Sequence, residues 1–127
     1  MRELKPRAEK PLHWVGSAKK DLLSFPEQVV DDVGFALGVV QYGGHPPSAK
    51  PWKGLGPRVF EIVENDGSGT YRAVYTVRFR KAVYVLHAFQ KKSPSGIRTA
   101  QTDVKLVTNR LTEAMHDYEE RYGKEAD

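Results

Sequence analysis

The sequence predicts an α+β fold: a small antiparallel β-sheet meander, two helices before it and a long helix after it. Three stretches carry this reading. From Tyr71 to Lys92, two runs rich in Val, Tyr and Phe flank a short charged step, Arg80-Lys81; β-branched and aromatic side chains suit a pleated, half-buried surface. From Pro26 to Tyr42, the residues Val29, Val33, Ala36, Leu37 and Val40 recur at helical spacing. From Ile97 to Tyr122, a second stripe runs through Ala100, Val104, Val107, Leu111, Ala114, Met115, Tyr118 and Tyr122 in steps of three or four.

The 127 residues suit one domain over 1–127, with 1–11 and 123–127 expected to fray. Met1 to Pro11 is charged and holds two prolines. A strand is expected at Leu12-His13-Trp14-Val15, broken by Gly16-Ser17. Ser17 is a plausible N-cap for a short helix over Ala18 to Ser24, with Leu22 and Leu23 turned inward. Pro26 then stops that helix and opens the next. Gly34 and Gly38 lie inside the second helix, each costing about 1 kcal/mol of helix propensity relative to Ala. Either they form a notch for close packing or they are two weak spots in an ordinary helix.

Gly43-Gly44 ends that helix. His45 to Pro57 holds four Pro and two Gly, a composition that excludes regular structure and marks a long loop. Lys50 and Lys53 flank Trp52 in it, offering two cations beside a ring, with Trp52 itself expected to plug the core. Arg58 to Glu64 is a strand that puts Phe60 and Ile62 on one face and Val59, Glu61 and Val63 on the other. Asn65 to Gly69 is a turn.

In the central hairpin, a two-residue turn at Arg80-Lys81 would set Phe79 opposite Ala82. One face then collects Tyr71, Ala73, Tyr75, Val77 and Phe79 with Ala82, Tyr84, Leu86 and Ala88. The other collects Arg72, Val74, Thr76 and Arg78 with Val83, Val85, His87, Phe89 and Lys91. Arg72 would lie opposite Phe89, with His87 and Lys91 as diagonal neighbours. A three-residue turn would swap the faces of the second strand. The helices are expected on the apolar face, leaving the face of Arg72 open and basic.

Charge placement supports an anionic partner. Lys and Arg number 20 against 16 Asp and Glu, and Lys50 to Arg98 holds ten cations against three acids. With no cysteine, disulfides and thiolate metal sites are excluded. The four His are scattered, and neither metal-ligand spacing nor a phosphate-loop motif is present, so no metal or cofactor is expected. No secretory signal is visible, and no apolar run approaches the roughly 20 residues of a membrane span; a cytoplasmic location is expected.

A basic cluster with one imidazole and aromatic rings suits a phosphodiester. Cations stabilise charge growing on phosphate, and rings stack on unpaired bases. With RNA the 2′-OH can be the nucleophile, so a base, an acid and cations suffice. Against this, Arg78 and Lys81 suit ordinary solvated charges, and His87 suits a hydrogen-bonded filler.

Trp14-Val15-Gly16-Ser17, Lys20 to Pro26, Lys53-Gly54-Leu55-Gly56, Phe60-Glu61-Ile62, Tyr71 to Tyr75 and Val85 to Ser93, in this order, resemble the RelE/HigB branch of the RelE/ParE toxin superfamily, in its phage-derived subfamily. The resemblance runs to Leu111. It implies the toxin of a type II toxin–antitoxin system: an endoribonuclease that cleaves messenger RNA at the ribosome and is neutralised by a small antitoxin, often a helix-turn-helix protein. It also implies catalytic roles for Arg72, Lys91 and Lys92 at the scissile phosphate and RNA binding or proton transfer around Lys50 and Lys53. Some members carry a tyrosine just past the basic pair. Ser93 to Gln101 holds none, which leaves Lys53, His87 and Lys92 as candidate bases. The expected site is therefore Arg72, Lys91, Lys92 and His87, with Lys50, Lys53, Arg58, Phe89 and Arg98 holding RNA. The alternatives are a non-catalytic ParE-like inhibitor of DNA gyrase and an inactive nucleic-acid-binding relic.

Overall fold

The computed structural model describes residues 8–91 and 100–125. Its elements run β1 (Leu12–Trp14), α1 (Ala18–Leu23), α2 (Glu27–Gln41), β2 (Ala49–Pro51), β3 (Val59–Asp66), β4 (Gly69–Thr76), β5 (Val83–Lys91) and α3 (Gln101–Tyr122). The expected α+β architecture is present. β3, β4 and β5 form the antiparallel meander, α1 and α2 precede it, and α3 closes the chain. The lead-in before Ala8, the loop after Lys91 and the expected helix start at Ile97 fall wholly or partly outside the described residues.

Two short strands widen the meander into a five-stranded sheet of order β1-β5-β4-β3-β2. β1 lies parallel to β5, with His13 opposite Tyr84. β2 sits inside the stretch expected to lack regular structure. It pairs antiparallel with β3, Lys50 opposite Glu61. An edge strand tolerates Pro51 because a proline without an N–H is harmless where no neighbour waits on that side.

The hairpin of β4 and β5 obeys the expected register at one end only. Arg72 faces Phe89 and Val74 faces His87, but Tyr75 faces Val85 and Thr76 faces Tyr84. One residue, Leu86, is therefore extra on β5, and the connection spans residues 77–82 rather than two. A bulge of this kind reverses which side chains meet which face. Val83 and Val85 turn to the α1–α2 side with Tyr71, Ala73 and Tyr75, whereas Tyr84 and Leu86 turn to the other.

That reversal explains the largest departure from expectation. The face of Arg72 is not open along its whole width, because α3 packs across β5 on that side. Val74, Tyr84, Leu86 and Phe89 form a second core with Val107, Leu111, Ala114 and Tyr118. The first core joins Leu22 and the stripe Val29, Val33, Ala36, Leu37 and Val40 to Ile62, Ala73 and Tyr75. A sheet apolar on both faces needs a layer on each. Gly34 and Gly38 meet nothing within 4 Å of a built Cβ, so neither serves a packing notch.

Candidate active site

The face of the sheet that α3 shares carries a row of polar side chains across four strands. Lys50 of β2 stands opposite Glu61 of β3. Arg72 of β4 lies diagonal to Glu61, two residues from Glu61's partner Val74; it stands opposite Val63 and faces Phe89 of β5. Lys91 follows on the same face, opposite Thr70. Alternation puts these side chains on one side, and strands lie roughly 4.8 Å apart, so Glu61, Arg72 and their neighbours form one patch.

Arg72 is not a free cation. Its Nη1 donates to Glu61 Oε1, and the two side chains are only 17% and 10% exposed. The expectation of cations converging with almost no acid among them is corrected here: a carboxylate stands at the centre. The cause is strand geometry, because diagonal neighbours on antiparallel strands approach closely enough for long side chains to meet. Two buried donors nearby, Arg72 Nε and Trp52 Nε1, have no acceptor among the described residues. Trp52 is buried and meets Phe89 edge-on at 6.4 Å, the core plug expected of it.

His87 is buried rather than poised in solvent. Its Nε2 lies 2.7 Å from Asp103 Oδ1 on α3, and its Nδ1 lies 3.4 Å from Arg110 Nη1. A guanidinium only donates, so in this geometry Nδ1 accepts and Nε2–H donates to Asp103. Arg110 also donates to the carbonyl of Leu86 at 3.0 Å and to Ser17 Oγ at 3.0 Å. Ser17 holds the N-cap position expected of it but makes no side-chain capping bond to the backbone: its hydroxyl donates to Asp21 Oδ2 at 2.7 Å. Arg110 fills the space beside Gly16, whose φ of +54° and lack of a Cβ admit the guanidinium. The His87 ring stacks on Phe89 at 4.9 Å, so the network braces the ring that faces Arg72.

Of the expected site residues, the structure brings together Arg72, Lys91, Phe89 and Lys50 on one face, with Lys53 exposed on the loop after Lys50. His87 shares the face but is committed to Asp103 and Arg110. Arg58 stands apart. It precedes β3 at the end opposite Arg72, about five residues from Val63, or roughly 16 Å at strand rise. Lys92 and Arg98 lie outside the described residues. A cleft of about 1020 Å³ opens beside the end of β5, lined by Phe25, Tyr71, Phe89, Lys91 and Asp103 among others.

Sequence reasoning missed Glu61, Asp103 and Arg110. Glu61 was visible as the single acid between hydrophobic residues on the face of Val59 and Val63. Arg110 was visible as a cation that falls between Val107 and Leu111 on the α3 stripe. Among the described residues no group of three His, Asp or Glu side chains is placed to hold a metal ion, and no helix is long and apolar enough to cross a membrane.

The model of the phage derived protein Gp49-like family matches residues 20–112, from α1 into α3. The chain belongs to this family. It is a RelE-type toxin family, and the matched span takes in every residue of the Lys50, Glu61, Arg72 and Lys91 patch. Among solved structures, the Gp49-like chain is similar to a chain of the toxin–antitoxin complex RelBE2 from Mycobacterium tuberculosis, at 22% identity and a TM-score of 0.46. That match covers 65% of this chain and 99% of the other. No curated protein matches the chain.

Proposed function

We propose that this chain is the toxin of a toxin–antitoxin pair and acts as a metal-independent endoribonuclease on messenger RNA at the ribosome. The observation that carries this reading is the largely buried Arg72–Glu61 pair, set between Lys50 and Lys91 on one sheet face. Membership of a RelE-type toxin family supports it. A helix-turn-helix protein is the proposed antitoxin, and the cytoplasm is the proposed location.

The pair supplies both halves of the chemistry. A phosphate entering the patch competes with Glu61 for the guanidinium, which then binds non-bridging oxygens through two N–H groups. The released carboxylate takes the proton from the adjacent 2′-OH. The 2′-oxygen attacks phosphorus, the bond to the 5′-oxygen breaks, and a 2′,3′-cyclic phosphate remains. Arg72, with Lys91 and Lys92, stabilises the charge that grows on the phosphorane, and one of the two lysines returns a proton to the leaving 5′-oxygen. Lys50, Lys53 and Arg98 hold the backbone. Phe89, stiffened by His87, forms the apolar wall behind Arg72. His87 is assigned a positioning role, because both its ring nitrogens are occupied.

Incubating the purified chain with RNA, alone and on translating ribosomes, tests this. Cleavage should leave 2′,3′-cyclic phosphate ends by mass spectrometry and stop at positions bearing a single 2′-deoxy sugar. Intact RNA under both conditions, from folded protein, would refute it.

A further inference from the structure

The far end of the molecule carries a second concentration of cations. A cleft of about 860 Å³ lies between the loop before β3, the β4–β5 connection and the end of α3. Arg58, Arg78, Arg80 and Lys124 line it, against two acids, Glu119 and Glu125. All four cations are exposed, and none makes an ion pair with a carboxylate among the described residues. Four like charges around one cleft repel one another, and an anionic partner removes that repulsion.

One carboxylate of the chain itself already sits at the cleft. Glu125, past the end of α3, folds back so that its Oε1 accepts from the Arg80 backbone N–H at 2.7 Å and from the Tyr118 hydroxyl. A carboxylate is therefore already seated at one corner on two preplaced donors. The remaining wall is apolar, from Leu55, Pro57, Val59, Phe79 and Met115. Phe79 and Tyr118 stack on each other at 4.5 Å and are both buried, so neither ring offers a face on which a base could stack. Arginines around an apolar floor, with N–H and O–H groups that donate to a carboxylate and no stacking platform, match a peptide better than an RNA strand.

We infer that this cleft is a docking site for an acidic peptide segment of a protein partner, its carboxylates on Arg58, Arg78 and Arg80 and an apolar side chain against Leu55 and Met115. The site is separate from the Arg72 face. An occupant would leave that face geometrically open, and this inference holds whether or not the chain cleaves RNA.

Fluorescence anisotropy with a labelled decapeptide alternating Glu and Leu tests it, with a Lys–Leu decapeptide and a single-stranded RNA decamer as comparisons. The Glu–Leu peptide should bind the full chain and the Lys–Leu peptide should not. R78E/R80E should weaken Glu–Leu binding at least tenfold and leave RNA binding within twofold. K19E, on α1, should change neither. Glu125→Gln, which removes the resident carboxylate, should strengthen peptide binding. Peptide affinity unchanged in folded R78E/R80E would overturn the site. So would RNA binding lost in that variant while peptide binding persists, or a peptide bound no more tightly by Glu125→Gln.

Discussion

Glu61 and Arg72 stand two residues out of register on neighbouring strands, diagonal on one face, and the guanidinium of the second donates to the carboxylate of the first. Either charge alone in this largely buried place would be costly. Removing one partner of a buried pair typically costs about 3–5 kcal/mol, whereas replacing both with apolar groups of similar volume is close to neutral. Arg72→Ala should therefore lower stability by about 3 kcal/mol in urea denaturation, and Arg72→Met with Glu61→Leu should restore most of it. This changes how a loss of toxicity is to be read: a plain alanine substitution at Arg72 confounds chemistry with folding.

The Arg110 guanidinium is held by the Leu86 carbonyl, Ser17 and His87, and it occupies the space where a side chain on Gly16 would project. A Cβ there would meet Arg110 Nη2 at 2.9 Å, on a backbone with φ of +54°. The left-handed conformation alone costs a non-glycine residue roughly 1–2 kcal/mol. Gly16→Ala should lower stability by at least about that much, measured by thermal unfolding.

His13 on β1 ties the start of the sheet to the end of α3 through a 2.7 Å contact between its Nε2 and the Tyr122 hydroxyl. Burial, and then the Arg121 guanidinium, hold its pKa below the ordinary 6.5. A histidine depressed in the folded state favours unfolding once the unfolded chain binds the proton more tightly. Its contribution is present above pH 6.5 and is lost as pH falls through the lower folded value. His13→Phe, which keeps the ring against Tyr84, should flatten the loss of stability as pH falls below 6.5, as read from urea midpoints.

Gly34 and Gly38 sit in α2 with open space where a side chain would begin. Replacing either with Ala should stabilise the protein by about 0.4–1 kcal/mol, because the unfolded chain loses freedom and the helix gains propensity. Differential scanning calorimetry of the two single variants and the double variant checks both the sign and the additivity.

How much of this was legible in the sequence follows from which interactions are local. The α2 stripe is written at helical spacing, and every one of its five apolar members is buried. The pairing of Arg72 with Phe89 was expected from a two-residue turn that is not there; the longer connection over 77–82 and the extra Leu86 together restore that register. The Leu86 bulge was not legible, since nothing in a run of Val, Tyr and Leu marks which residue is left unpaired. The bulge decided that Tyr84 and Leu86 would look toward α3. Glu61 escaped notice for a related reason: its partner is eleven residues away on another strand, and only the register joins them. Arg110 was hidden by the habit of reading a cation on a helix as solvated, although its place on the stripe put it indoors. Lys50, Lys91 and Phe89 were named from local charge, aromatic density and the resemblance, and the register sets them on one sheet face.

In the proposed mechanism the Glu61 carboxylate takes a proton while Arg72 holds the phosphate. Single-turnover cleavage of end-labelled RNA by Glu61→Gln tests this most directly, since glutamine keeps an acceptor for Arg72 but is no base. With folding confirmed by circular dichroism, the cleavage rate should fall by about 10²–10⁴-fold with RNA affinity nearly unchanged. A folded Glu61→Gln protein that cuts RNA at the wild-type rate would contradict it.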